Sequence, residues 1–252
     1  MLDITVKTKQ TMKHLNLLLL IPFLLTSCTE AKMLSKSLNR YQVPLGYLHD
    51  SRVIDCDRST SISIVDFDNS VFDSATTVTK INQKILPFII YNYTEVNLAV
   101  NMGQSSLTQN YSDFFKESFL AESQRIGCFS LTDDPTKYTL EISFDTVKIN
   151  SKYQRSSTVL FFLIAYSMYF HETGFPAEAR LALNVRLRKG RDLIFEEEYF
   201  VYREQPFLSN QMRNVNQLRS NFVTNMAESL SLNTKESIEQ IIKDINLAIE
   251  NR

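Results

Sequence analysis

The chain has 252 residues, 44% of them hydrophobic and 22% charged, with a formal net charge of −1. That is the composition of an ordinary folded protein, and it leaves no electrostatic footprint for nucleic acid. Only five glycines occur, so Gly-rich phosphate loops are not expected, and neither G-x-G-x-x-G nor G-x-x-x-x-G-K is present.

At the N-terminus, Lys7, Lys9 and Lys13 precede an apolar run from Leu15 to Leu25 that is broken only by Asn16 and Pro22. Its length suits a signal h-region and is too short for a transmembrane helix. The small residues Thr26 and Ser27 then lead to Cys28, and Met12-Lys13 makes a more usual start than Met1. This order of charge, apolar run, small residues and cysteine resembles the type II signal peptide of bacterial lipoproteins. The resemblance implies that residues 1–27 are removed and that Cys28 carries the lipid, palmitate included. An ordinary signal peptide and a retained short anchor are the alternatives. Thr29 and Glu30 place no Asp next to Cys28. Under enterobacterial sorting this points to the outer membrane, facing the periplasm.

Residues 28–52 are polar, with Pro44 and Gly46, and read as a tether with a partly ordered end. Residues 53–252 read as a single domain. Apart from Cys28, the cysteines are Cys56 and Cys128. In an oxidising compartment they can form one disulfide or remain two separate buried thiols.

Ser61–Asp68 is β-rich and predicts a strand. Ile85 to Val100 predicts one or two strands, with Pro87 near the start. Asn110 to Ile126 predicts a helix, with Asn110 as N-cap and Gly127 at its stop. Tyr138, Leu140, Ile142 and Phe144 alternate with polar residues, the pattern of a half-buried strand. Leu181 to Leu187 repeats that alternation, Lys189-Gly190-Arg191-Asp192 turns, and Leu193 to Arg203 returns as a hairpin partner. Glu196, Glu197 and Glu198 mark that partner as an edge strand guarded by charge. The C-terminus predicts two helices, about 215–230 and a second one opened by a capping box of Asn233 and Glu236. The fold class is α+β, with a mainly antiparallel sheet, helices packed on one face and helices at the C-terminus.

Between the predicted strands lies an apolar insertion, Val159 to Phe170, twelve residues without a charge, bounded by Arg155 and by His171-Glu172. As a helix it would span roughly 18 Å, short of a bilayer core. It is either buried under the sheet or is a surface for a membrane or a hydrophobic partner. In the second case Phe161, Phe162, Tyr166, Tyr169 and Phe170 are the contact residues. Thr173-Gly174-Phe175-Pro176 would turn the chain into the hairpin.

Catalytic signatures are sparse. His49 and His171 lack further ligands at zinc spacing, and no G-x-S-x-G occurs. Asp66 and Asp68, in Ile64-Val65-Asp66-Phe67-Asp68, resemble the first motif of haloacid-dehalogenase-like phosphatases. That resemblance implies Asp66 as nucleophile, Asp68 as acid/base and a parallel sheet. A broader layout has its own likeness. A strand ends Ile64-Val65-Asp66-Phe67, a helix leads into Tyr138-Thr139-Leu140, and a late hairpin turns at Lys189-Gly190. This resembles the small α+β domains of periplasmic accessory lipoproteins, such as ABC-type transport auxiliary and curli-secretion-type lipoproteins. It implies a non-enzymatic, lipid-anchored binding or assembly protein with an envelope protein partner, no cofactor and no metal. The apolar insertion departs from the simplest such domain. Carriage of a hydrophobic ligand is a third reading, and it requires a closed apolar cavity under the sheet.

Overall fold

The computed structural model describes residues 30–49, 53–56, 58–67, 71–87, 91–161, 166–207 and 214–250, with only the backbone at 65–67, 161 and 166. The strands are β1 (Ser61–Phe67), β2 (Thr77–Pro87), β3 (Tyr91–Asn101), β4 (Ser130–Thr132), β5 (Tyr138–Phe161), β6 (Tyr166–Lys189) and β7 (Asp192–Gln205). The helices are α1 (30–38), α2 (Tyr111–Ile126) and α3 (Val215–Glu250). The fold is α+β, and its sheet is mainly antiparallel.

β5 is the axis of the sheet. Along one side its first residues pair in parallel with β1, which in turn pairs in parallel with β4. Further along the same side, Asn150 to Leu160 pair antiparallel with β3, and β3 with β2. The other side of β5 pairs along its whole length with β6. β7 joins β6 only over Ala177–Lys189. The sheet is therefore two staggered halves: a proximal one of β4, β1, β5, β6 and β7, and a distal one of β2, β3, β5 and β6.

The proximal half holds the core. Leu140, Ile142 and Phe144 of β5 and Leu181, Leu183, Val185 and Leu187 of β6 are buried on one face. Phe144 meets Phe115 and Tyr111 of α2 edge-on, with ring centroids 5.0 and 5.7 Å apart. α2 begins where Asn110 accepts a hydrogen bond from the Ser112 amide, satisfying an otherwise orphaned donor. The β6–β7 turn needs Gly190, whose φ of +63° is in the left-handed region. β7 pairs only with β6 among the described residues, and Glu196, Glu197 and Glu198 are exposed on it.

Four expectations need correction. The first concerns the tether. Residues 30–38 form α1, with Leu34 and Leu38 buried in the core, followed by buried Val43 and Leu45. A helical stretch as short as the described residues 30–38 is marginal alone. Burying its two leucines contributes about 1.5–3 kcal/mol each, so tertiary contact makes the helix. Val43 also exchanges backbone hydrogen bonds with Ser106 and Thr108.

Secondly, the C-terminus is one helix of 36 residues, not two. Asn233 is no cap. Its buried amide donates to the carbonyls of Ala179 and Val201, at 2.9 and 3.3 Å. Neighbouring Ser231, Thr234 and Ser237 donate back to carbonyls four residues earlier, so a buried polar stripe passes through the helix without breaking it.

Thirdly, Val159 to Phe170 is not an insertion before the hairpin. Its described ends, Val159–Phe161 and Tyr166–Phe170, are the end of β5 and the start of β6, two paired strands of 24 residues each. Fourthly, Thr173-Gly174-Phe175-Pro176 is not a turn but runs within β6, opposite a register shift between Ser151 and Tyr153. Ile85 to Val100 resolves into the end of β2 and most of β3.

Cys56 and Cys128 are joined in a disulfide, with Cα atoms 5.5 Å apart and a sequence separation of 72. It fastens the strand-free segment before β1 to the end of α2. Closing a loop of that size constrains the unfolded chain by about 4 kcal/mol. The double variant Cys56→Ala, Cys128→Ala is therefore expected to lose stability of that order, read as a lower urea midpoint.

Candidate functional site

Where β5 and β6 leave the helical layer, charge is gathered on one buried carboxylate. Glu172 of β6 accepts two hydrogen bonds from the Arg219 guanidinium of α3, Nε to Oε2 at 2.9 Å and Nη2 to Oε1 at 2.6 Å. Tyr153 of β5 donates its hydroxyl to the same carboxylate at 2.5 Å. The Arg155 Nε lies 3.6 Å from Oε1, and Arg219 reaches back to Ser37 of α1 at 3.1 Å. Burial first, then the hydrogen bond to Glu172 and its charge, push the Tyr153 phenol above its usual range. Tyr153 also packs edge-on against Phe222 of α3, with centroids 5.1 Å apart. Gly174 permits this approach: a Cβ there would lie 2.4 Å from Phe207 and 2.7 Å from Phe222.

Beyond this knot the four distal strands continue as successive cross-strand rows. The row of Gln83, Val96, Arg155 and Glu172 carries charge, and so does the next, of Lys84, Glu95, Ser156 and His171. After it the charges stop. Ile85, Thr94, Ser157 and Phe170 form the first uncharged row, and Leu86, Tyr93, Thr158 and Tyr169 form the second. Pro87, Asn92, Val159 and Met168 follow, then Tyr91, Leu160 and Ser167. Successive rows face opposite sides of the sheet. Phe170 and Met168 lie on the helix-side face with Arg155, whose guanidinium sits 5.5 Å from the Phe170 ring centroid. Tyr169 lies on the other face. Tyr169 is 61% exposed, Phe170 55% and Met168 48%.

Of the predicted contact residues, Tyr169 and Phe170 are thus exposed on opposite faces of the hairpin. Phe161 and Tyr166 are the last paired backbone positions, and Phe162 lies outside the described residues. Burial of this segment under the sheet, one of the two alternatives, does not hold for Met168, Tyr169 or Phe170. Cys28 and Asp68 also lie outside the described residues. Asp66 is placed in β1 opposite Glu141, in a sheet that is parallel only around β1 and not throughout, as the phosphatase likeness requires. His49 binds buried Glu122 at 2.7 Å, and His171 bonds Thr173 at 3.1 Å, so the two histidines serve separate places. No cluster of three or more His, Cys, Asp or Glu able to hold a metal occurs among the described residues. No helix among them is long and apolar enough to cross a membrane. A hollow of about 180 Å³, lined in part by Val71, Phe72, Tyr111 and Phe144 and by polar Gln104 and Asn110, opens to solvent beside α2. It is not the closed apolar cavity that a carrier needs.

Sequence reasoning missed Glu172, Arg219 and Tyr153 as a unit. One signal was available: Arg155 and Glu172 bound the uncharged run at both ends, and they are cross-strand partners.

No family model matches the chain, and no curated protein does. Among solved structures, the chain is similar to a crystal structure of a Xanthomonas campestris protein described under the family model DUF330. The TM-score is 0.40 at 10% identity, over 82% of this chain and 95% of that one. A likeness of that degree carries no argument about function.

Two outcomes are expected from the knot. Arg219→Met alone removes the two-pronged partner of a carboxylate that is 3% exposed, leaving it only Tyr153 and the more distant Arg155, and should cost about 1.5–3 kcal/mol. Adding Glu172→Gln should restore part of that loss, as a double-mutant cycle by urea unfolding would show. The second outcome concerns alkali. Tyr111, by burial, and Tyr153 both have raised pKa values in the fold, so the native state keeps protons that the unfolded chain releases near about pH 10. Their contribution is complete below that pH and is lost as the pH rises above it. The urea midpoint should fall above about pH 10, and less steeply in Tyr111→Phe.

Proposed function

We propose that this protein is a non-enzymatic, lipid-anchored accessory protein of the bacterial cell envelope, facing the periplasm from the outer membrane. The distal sheet is its binding or assembly surface. The observation that carries the reading is the N-terminal order of lysines, apolar run and Thr26-Ser27-Cys28.

Two structural features support it. The Cys56–Cys128 bridge suits an oxidising compartment outside the cytoplasm. The exposed, uncharged end of the sheet carries apolar side chains that water alone does not favour, the usual mark of a contact surface. α1 adds a constraint on how the anchor works. The folded domain begins by Glu30, two residues after Cys28, so it is held against the membrane and not on a long leash. Attachment raises its effective concentration near envelope partners.

Mass spectrometry of the protein purified from membranes is expected to show Cys28 as the first residue, carrying diacylglycerol and acyl chains. Cys28→Ser should instead be recovered unlipidated. An N-terminus beginning elsewhere, or a free Cys28 thiol, would refute the anchor.

A further inference from the structure

The apolar side chains of the distal sheet lie on both of its faces. Phe170 and Met168 are exposed on the helix side, and Tyr169 and Leu86, the latter 37% exposed, on the other. A protein docking on a sheet covers one face. A medium that surrounds the strands covers both.

The direction of α1 identifies that medium. Ser35 and Asn39, towards its C-terminal end, bond the Thr76 carbonyl at the start of β2. Glu30, at its N-terminal end, lines a hollow with Arg155 and Glu172. α1 therefore runs with its N-terminus toward the distal sheet. Cys28 is two residues further on, a reach of at most about 7 Å. A lipid on Cys28 would thus leave the chain within that reach of Glu30, which lies beside the Arg155–Glu172 row.

We propose that the distal end of the sheet seats in the lipid bilayer that holds the Cys28 lipid, an inference that rests on the anchor reading above. Depth follows from the backbone. Four uncharged rows at about 3.4 Å each cover about 14 Å. However, β2 and the distal part of β6 are open edges among the described residues. Unpaired N–H and C=O groups are not tolerated in hydrocarbon, so the sheet stops at the headgroup–acyl boundary, about 5–10 Å deep. Tyr91, Tyr93 and Tyr169, with apolar rings and polar hydroxyls, suit that level. Thr94, Ser157 and Thr158 suit it as well, and would be poorly placed deeper.

The chain contains no tryptophan, so a single one reports its own surroundings. Tyr169→Trp is made in the full lipoprotein, with Phe200→Trp on exposed proximal β7 as control. Both are reconstituted into phosphatidylcholine vesicles with or without bromine at positions 6 and 7 of one acyl chain. Trp emission from the Tyr169→Trp protein should shift to the blue and lose most of its intensity in brominated vesicles, and that from Phe200→Trp should not change. A Tyr169→Trp protein that floats with vesicles but is unquenched overturns the proposal, leaves the anchor standing and assigns the sheet end to a protein partner. Quenching that persists in an unlipidated Cys28→Ser, Tyr169→Trp protein supports membrane seating independently of the anchor, so the two readings fail separately.

Discussion

Two antiparallel strands of 24 residues each reach about 80 Å, whereas the 36-residue helix laid on them reaches about 54 Å. Strands in globular proteins are usually 3–10 residues long, and this length mismatch governs the rest of the molecule. Wherever α3 and α2 lie, β5 and β6 alternate buried and wet side chains. Where the described helices end, neither face of the sheet is covered by a described element, and burial no longer distinguishes the two faces. The hairpin therefore divides into a proximal part built like a protein core and a distal part that no described helix covers.

The boundary between the two parts is fixed by charge. Glu172 is buried at the first turns of α3, held by Arg219 and Tyr153. A buried ion pair adds little net stability over an apolar replacement, so its physical effect here is chiefly on register. A slip of β6 by one residue would carry Glu172 to the opposite face, away from Arg219, and leave both charges without a partner. Gly174 adds a steric condition two residues later, because Phe207 and Phe222 occupy the space a side chain would need. Together these residues locate α3 along the sheet and so set how much of the hairpin is left uncovered.

Much of the proximal half was legible in the sequence because its environment is asymmetric. Leu140, Ile142 and Phe144 alternate since one face is core and the other water. Gly190 marks its turn because only the left-handed region closes that two-residue loop. Asn110 marks a helix start because its side chain replaces a missing backbone partner. The misread segments share a different physics. Asn233 has the chemistry of a cap, but the carbonyls it satisfies belong to β6 and β7, far away in sequence. α1 shows only Leu34 and Leu38, too little periodicity to reveal a helix made by tertiary contact. Val159 to Phe170 lacks alternation where no described helix covers either face of the sheet, so its strand ends look like a buried helix in sequence. The site was hidden for the same reason as the fold: Arg219 lies 47 residues from Glu172, and no local pattern joins them.

A flexible tether and a folded α1 have different consequences for a lipid-anchored domain. A long leash raises effective concentration but leaves orientation free. Here Leu34 and Leu38 lock α1 into the core, and Arg219 ties Ser37 to the same carboxylate that orders the base of the hairpin. With a lipid on Cys28, the link to the membrane would be two residues long and would start beside the Arg155–Glu172 row. Rotation of the domain away from the surface would then have to break α1 out of the core, at the cost of its buried leucines. With such an anchor, orientation would be coupled to folding stability: the interactions that hold α1 in the core would also point the uncharged end of the sheet to the side from which the lipid leaves.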